Sequence, residues 1–332
     1  MKSMSRSNPI LAAVLAGAAF VAGGAASAQE AYPSKPIKIL VGFGAGGSGD
    51  TIARLYGKHM ADVLGTAVVV ENRPGARQLL AINAALEAPA DGYTLFAGTK
   101  SSMIQNPALR QDIRYDPLAD FSMIGLAVNF PGLLYITPGL EIDSFDGLID
   151  YATAHPGELN FGSAGVGSAD HLAGAALQSL TGIALTHIPY KADVEVIREI
   201  VAGNVDVAFS PSPNVLSFVR SGDVVPLAVT SEERLPTLPD VPTLAELEIE
   251  GLSDLGAHTF LGFFGGADMP EEIVSTLNAA VNEVSQMPDV AEIVRETHGA
   301  EPAVMTPDEL REMIAGGIEQ WRAIGETIEL PQ

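Results

Sequence analysis

The chain has 332 residues, with 18 Lys and Arg against 41 Asp and Glu, 34 Gly, 22 Pro and no Cys. This composition excludes a disordered or collagen-like chain, and the missing cysteine excludes disulfides, thiolate metal sites and a cysteine nucleophile. The length predicts two domains, because a single core seldom grows past roughly 250–300 residues.

At the N-terminus, Lys2 and Arg6 precede an apolar run over residues 10–22, and Ala26-Ser27-Ala28 fits a small-residue cleavage site. We read residues 1–28 as a secretory signal peptide cleaved after Ala28. The run is shorter than the roughly 20 residues of a membrane span, and Gly23-Gly24 weakens its helix. No twin-arginine pair and no cysteine follow it, so the expected product is a freely diffusing periplasmic protein. Losing Lys2 and Arg6 leaves 16 basic against 41 acidic residues, a formal charge of −25. Such a chain repels nucleic acid. A small anionic ligand stays compatible with it, because charges further away than about 8 Å are screened at physiological ionic strength.

Beyond the signal, strands alternate with helices in the pattern of an open, largely parallel sheet covered on both faces. Residues 37–43 read as a buried strand, 44–49 as a glycine-rich turn, and 50–64 as a helix with Ile52, Leu55, Tyr56, Met60 and Val63 at helical spacing. A strand over 68–71, a helix over 78–87 and a strand over 94–97 follow. A second series begins after 124–128, with strands at 133–136, 159–162, 185–188, 205–209 and 225–230. Helix starts are predicted at Ser144, Ser168 and Thr243, the last with Glu246 as a capping box. Another box, Thr306-Pro307-Asp308-Glu309, opens a terminal helix that places Leu310, Ile314, Ile318 and Trp321 on one face.

The strongest local signal is Gly44-Ala45-Gly46-Gly47-Ser48-Gly49, which satisfies G-x-G-x-x-G between a strand and a helix, with Glu71 ending the next strand. On paper this is a dinucleotide fingerprint. Its physical content is broader: glycines expose amide groups at a helix N-terminus, where an anion can sit. A second turn, residues 162–168, also joins a strand to a helix. Two such turns aimed at one cleft would bind an anion mainly through neutral donors, without burying an unpartnered cation. Ser168, Asp170 and His171 lie too close along the chain to converge as a hydrolase triad, and no G-x-S-x-G elbow surrounds them. The six histidines show no metal-ligand spacing. Lys100, in Gly98-Thr99-Lys100-Ser101, follows a strand at the end where α/β sheets place their sites.

These segments resemble one family across nearly the whole mature chain. The resemblance is carried by Tyr32-Pro33-Ser34-Lys35-Pro36-Ile37, residues 43–50, Glu71-Asn72-Arg73-Pro74-Gly75, Asp91-Gly92-Tyr93-Thr94-Leu95, Tyr115-Asp116-Pro117, Gly162-Ser163-Ala164-Gly165, His187-Ile188-Pro189-Tyr190-Lys191 and Leu238-Pro239-Asp240-Val241-Pro242-Thr243. The family is that of the Bug, or tripartite tricarboxylate transporter, solute receptors. It implies a two-lobed fold like that of type II periplasmic binding proteins, α/β in each lobe, with two interlobe crossings and a central cleft. Lobe 1 would comprise residues 29–130 plus 253–332, and lobe 2 residues 131–252. The implied ligand contacts are Phe43, Gly46, Gly47 and Ser48 from the first turn and Ser163, Gly165 and Ser168 from the second. Thr99, Lys100, Ser101, Ala192 and Asp193 would line the side that varies with ligand. The chain departs from the family pattern at Gly44-Ala45, where prolines are usual, at Arg77-Gln78-Leu79-Leu80 in place of a glycine run, at Ala192, and at Ser210, where an acidic residue is frequent.

The resulting expectation is a periplasmic, non-catalytic receptor that closes two lobes on a small organic carboxylate. It would need no cofactor or metal, and would act as a monomer that delivers its ligand to a large and a small membrane subunit. The rival reading is a Rossmann-type NAD(P)-dependent oxidoreductase using the Gly44–Gly49 loop and Glu71. A third reading keeps the receptor and gives it a sensor protein as partner.

Overall fold

A computed structural model describes residues 32–166, 168–231, 233–249, 251–252 and 259–327; the expected signal peptide lies outside the described residues. In chain order the elements are β1 (Ile37–Val41), α1 (Ser48–Leu64), β2 (Val68–Asn72), α2 (Leu79–Leu86), β3 (Thr94–Thr99), α3 (Asn106–Leu109), α4 (Pro117–Asp120), β4 (Phe121–Phe130) and β5 (Gly132–Ile136). They continue with α5 (Phe145–Ala154), β6 (Asn160–Ser163), α6 (Ala169–Thr181), β7 (Thr186–Pro189), α7 (Asp193–Val201), β8 (Val207–Pro211), α8 (Ser212–Ser221) and β9 (Val225–Val229). The last are β10 (Thr259–Gly266), α9 (Glu271–Gln286), α10 (Pro288–His298), β11 (Glu301–Pro302) and α11 (Pro307–Thr327).

Two sheets form, in the orders β11-β4-β10-β3-β1-β2 and β7-β6-β8-β5-β9. The central strands of each are buried on both faces, as their apolar sequences require. In β1, Ile37, Ile39 and Val41 face a core with Ile52, Tyr56 and Met60 of α1 and Val281 and Val284 of α9. Leu40 faces the opposite core, with Phe96, Phe264 and the Leu310, Ile314, Ile318 and Trp321 stripe of α11. The period of two in the strand and of 3.6 in the helices thus meet. In the second sheet, Leu134 and Ile136 point into one core and Leu133 and Tyr135 into the other.

The first sheet is not largely parallel as the sequence suggested. β1 is parallel to β2 and β3, but β10 runs antiparallel to both β3 and β4. β5 likewise runs antiparallel to β8 and β9 within a sheet whose β6 is parallel to β7 and β8. β10, which local pattern did not reveal, enters the first sheet only after the chain has completed the second. Gly98 of the neighbouring β3 admits the Phe264 ring of β10, since a Cβ on Gly98 would stand 2.7 Å from it. The chain passes from β4 to β5 through Pro131 alone, so one residue separates the two sheets.

Caps read from sequence form as drawn at three positions. Ser144 and Ser168 accept amide hydrogens at the starts of α5 and α6, and Thr306 and Glu309 close a reciprocal box at α11. Thr243 and Glu246 also form their box, yet only a 3₁₀ turn, Ala245–Leu247, follows before Glu248 turns left-handed at φ 53°.

Candidate functional site

The two glycine-rich turns and the ends of β3, β4, β8 and β10 enclose one cavity of about 850 Å³, a size suited to a small metabolite. Its wall combines residues 42–44 and 47–49, Gly75, Gln78, Thr99, Ser101, residues 105, 106, 109 and 110, and Phe130 from the first sheet's side. Residues 164, 166, 168–170, 193, 211, 213 and 214 come from the second, and Thr259, Phe260 and Leu261 from β10.

The first turn is shaped by a buried carboxylate. Asp50, 2 % exposed in the first turn of α1, accepts hydrogen bonds from the Gly46 amide at 2.8 Å, Asn72 Nδ2 at 2.7 Å and Arg54 Nε at 3.1 Å. Burial would raise its pKa, but the bonds from Arg54, Gly46 and Asn72 outweigh it and hold the carboxyl below its usual range. Gly46, at φ 85°, has the left-handed conformation that glycine favours. No side chain caps α1, whose N-cap is Gly47, and the first intrahelical bond runs from Thr51 to Gly47. The amides of Ser48 and Gly49 therefore have no intrahelical acceptor, and both residues stand on the cavity wall.

The second turn uses the same device with different parts. Asp170, 5 % exposed in the first turn of α6, accepts the Ala164 amide at 3.2 Å. Gly165 adopts φ 114°, and its amide goes to Ser163 Oγ at 3.2 Å. The Ser168 amide goes to the Gly165 carbonyl, while Ser168 Oγ caps the His171 amide. Much of this turn's hydrogen bonding is thus spent within it, whereas the α1 start is open. The Ser168 hydroxyl thus serves as the cap of α6, and the His171 ring lies 4.2 Å from that of His187, tilted by 32°.

Seven of the twelve residues singled out from sequence line the cavity: Phe43, Gly47, Ser48, Thr99, Ser101, Ser168 and Asp193. Gly46, Lys100, Ser163, Gly165 and Ala192 are not among its lining. Gly46 and Gly165 set turn geometry behind the wall, and Ala192 is the extended N-cap of α7. Ser163 is fully buried and bonded to His187 Nε2 at 2.7 Å. Lys100 lies over the Trp321 ring, 5.6 Å from its centroid, and burial pushes its ammonium down to about 8. Asp193 is held by Ser210 Oγ and Asn214 Nδ2, each at 2.6 Å. Sequence reading missed Gln105, Asn106, Arg110 and Asn214, all on the wall. It noted Gln78 only as a departure from a glycine run.

Ser163 links the second turn to a histidine pair. Burial, and then the neighbouring His171, push the His187 imidazole down to about 4, and burial alone lowers His171. The unfolded chain takes up the His187 proton near pH 6.5 and the folded chain only near 4, so this stabilisation is complete above about 6.5 and is lost as pH falls between those values. His187→Gln should therefore lose less stability than the parent between pH 7 and 4.5, by on the order of 1–2 kcal/mol in urea titrations. Parallel losses would show that His187 does not titrate in this way.

Glu71 is bound by Lys38 at 2.9 Å and Arg73 at 2.6 Å and does not line the cavity, so the acidic partner of a dinucleotide loop is engaged elsewhere. Among the described residues no group of three or more His, Cys, Asp or Glu is placed to hold a metal, and no helix is long and apolar enough to cross a membrane.

Comparison with known proteins decides the family. The family model described as "Tripartite tricarboxylate transporter family receptor" matches residues 52–330. The chain belongs to this receptor family. It is 34 % identical over 296 residues to protein BugT of Bordetella pertussis, covering 89 % of this chain and 90 % of that protein. Among solved structures, periplasmic binding protein BugD is similar at 28 % identity and a TM-score of 0.71, over 89 % of this chain and 98 % of the other. MatC from Rhodopseudomonas palustris, with bound malate, is 29 % identical with a TM-score of 0.70, over 89 % and 100 %. An R. palustris protein with adipate is 29 % identical with a TM-score of 0.75, over 89 % and 98 %. The chain is accordingly a solute-binding receptor of this family, and the dinucleotide reading finds no support.

Proposed function

We propose that the cavity seats one carboxylate of a small organic acid against the start of α1, with the second turn closing over it from the opposite side. The observation that carries this reading is the uncapped N-terminus of a 17-residue helix, its Ser48 and Gly49 amides on the wall of a cavity shared with the second turn. The adipate and malate in the two R. palustris relatives support the same ligand class. Phe43 and Val166, large apolar side chains 37 % and 43 % exposed on opposite sides of the cavity, are suited to cover a hydrocarbon segment when the sides approach.

Closure would pivot on Pro131, with residues 29–130 plus 253–332 as one lobe and 131–252 as the other. In this reading the receptor is a monomer exported to the periplasm after cleavage at Ala28. It binds without catalysis and hands its ligand to a large and a small membrane subunit.

A thermal-shift screen over carboxylic acids and their methyl esters tests the ligand class. An acid present at 100 times its Kd should add about 2.7 kcal/mol, roughly 5 °C in Tm, and its ester should not. Equal shifts from acid and ester, or shifts from no acid, would overturn the proposal.

A further inference from the structure

The two sides of the cavity differ in charge. Among the described residues the charged side chains of its wall are Arg110, on the side of the first sheet, and Asp170 and Asp193, on the side of the second. Arg110 is engaged by Asp112, through Nε at 2.9 Å and through Nη2, so much of its charge is answered before any ligand enters. The first side therefore presents the amides of the α1 start, whereas the second presents carboxylate.

Asp193 is fixed at this wall by the fold. β7 ends at Pro189, Ala192 is the extended N-cap of α7, and Asp193 is the first residue of that helix. The start of α7 thus carries its own anion, while at α1 the corresponding carboxylate, Asp50, is turned back onto Gly46, Arg54 and Asn72. Ser210 Oγ donates to Asp193 Oδ1 and Asn214 Nδ2 to Oδ2, each at 2.6 Å. Ser210 is fully buried and pairs with the buried Tyr135 hydroxyl at 2.8 Å, which ties the carboxylate to the core of the second sheet. The bond from Asn214 is exposed, and Asn214, Pro211 and Pro213 stand with Asp193 on the cavity wall. Both donors are neutral and leave the charge uncancelled, and a carboxylate offers about four acceptor sites, more than these two bonds use. Burial, then the charge of Asp193 and, after the opposing bond to Ser210, that of Asp170 push the Tyr135 hydroxyl up, so both carboxylates act on one buried oxygen.

Resting on the reading of the α1 start as a carboxylate seat, we infer that the ligand is a zwitterion, a carboxylate that also carries a protonated amine, and that Asp193 accepts hydrogen bonds from that amine on the opposite side of the cavity. Each end of such a ligand meets the opposite charge: its carboxylate the open amides of α1, its ammonium the Asp193 carboxylate. Pro211 and Pro213 supply apolar surface beside Asp193, which strengthens the attraction relative to open water. A simple monocarboxylate brings only an anion towards Asp193 and Asp170, and a dicarboxylate brings two. Approach of the two sides shortens these distances, so closure is favoured by a zwitterion and opposed by a plain anion.

The experiment titrates the purified protein calorimetrically with pairs in which a methyl group replaces the ammonium: alanine and isobutyrate, β-alanine and butyrate, γ-aminobutyrate and pentanoate, δ-aminopentanoate and hexanoate, and para-aminomethylbenzoate and para-ethylbenzoate. At least one amino acid should bind about tenfold or more tighter than its methyl counterpart. Asp193→Asn should weaken that amino acid about tenfold but not the counterpart, from which it removes a repulsion. Asp193→Ser, which removes the charge with a smaller side chain, should do the same. Methyl counterparts that bind as tightly as the amino acids in every pair, or variants that weaken both members equally, would overturn the inference, and the pairs decide on the parent protein even where a variant fails to fold. If no member of any pair binds while other carboxylic acids raise Tm, the inference fails and the carboxylate seat stands. An amino acid that passes these tests but whose methyl ester binds equally well leaves the inference standing and overturns the seat. If no carboxylic acid binds or raises Tm, both fail.

Discussion

Asp50→Ala should cost the folded state about 3 kcal/mol at neutral pH, the range expected when one partner of a buried, hydrogen-bonded charge network is removed. The substitution strands the Gly46 amide, Asn72 Nδ2 and Arg54 Nε, and Asn72 also ties the turn through the Phe43 carbonyl at 3.1 Å. Arg54 is half-exposed and retains Asn72 Oδ1 at 2.8 Å, which keeps the loss from reaching the upper end of that range. Because the carboxyl is held below its ordinary pKa, its contribution is complete at neutral pH and fades only as pH falls through the acid range. Urea unfolding of parent and variant at pH 7 measures the difference. A loss below about 0.5 kcal/mol, the size of an ordinary surface substitution, would show that the network does not hold the turn.

Gly47→Thr should separate binding from stability. Gly47 is the N-cap of α1 with φ −76°, and a Cβ there would meet only the Gly44 carbonyl oxygen, at 3.7 Å. Threonine is accommodated without strain and caps a helix about as well as glycine, so the unfolding free energy should change by less than about 0.5 kcal/mol. Its hydroxyl, however, accepts one of the first-turn amides that the ligand carboxylate would use, and its methyl group occupies the wall in front of them. Affinity for any acid that raises Tm should fall about a hundredfold, or about 2.7 kcal/mol. Unchanged calorimetric affinity would remove the α1 start from the site.

The two variants probe different causes at adjacent positions. Asp50 organises the turn from behind, and Gly47 leaves its front open. Ser163 and Asp170 stand in the same relation to the second turn, where the His187 pair adds a neutral buttress that acid would charge. An anion seat built from main-chain amides, as proposed for this receptor, would depend on these carboxylates and hydroxyls. They fix the direction of the amides without presenting a mobile side chain to the ligand.

Much of this was legible locally. The strand, glycine turn and helix of residues 37–64, the Ser144, Ser168 and Thr306 caps, and the apolar stripe of α11 each depend on neighbours within a few residues, and each formed. The pairing of two glycine turns in one cleft was also readable, because each follows a strand and opens a helix. Lys100 was misdirected by the same logic. The strand end does lie at the cavity, yet an ammonium there finds the Trp321 face, which the chain supplies more than two hundred residues later.

The amino-acid sequence by itself determined many of the elements, most of their caps and the two glycine turns, because propensity, periodicity and capping act over at most a few turns of chain. Only the tertiary structure decided that β10 is inserted antiparallel between β3 and β4, that Ser163 braces His187 instead of lining the cavity, and that Gln78, Gln105 and Asn106 share one wall with unpaired atoms. The physical reason is that hydrogen-bond satisfaction and sheet order depend on which distant groups meet, and a distant partner leaves no mark on the local pattern of either segment.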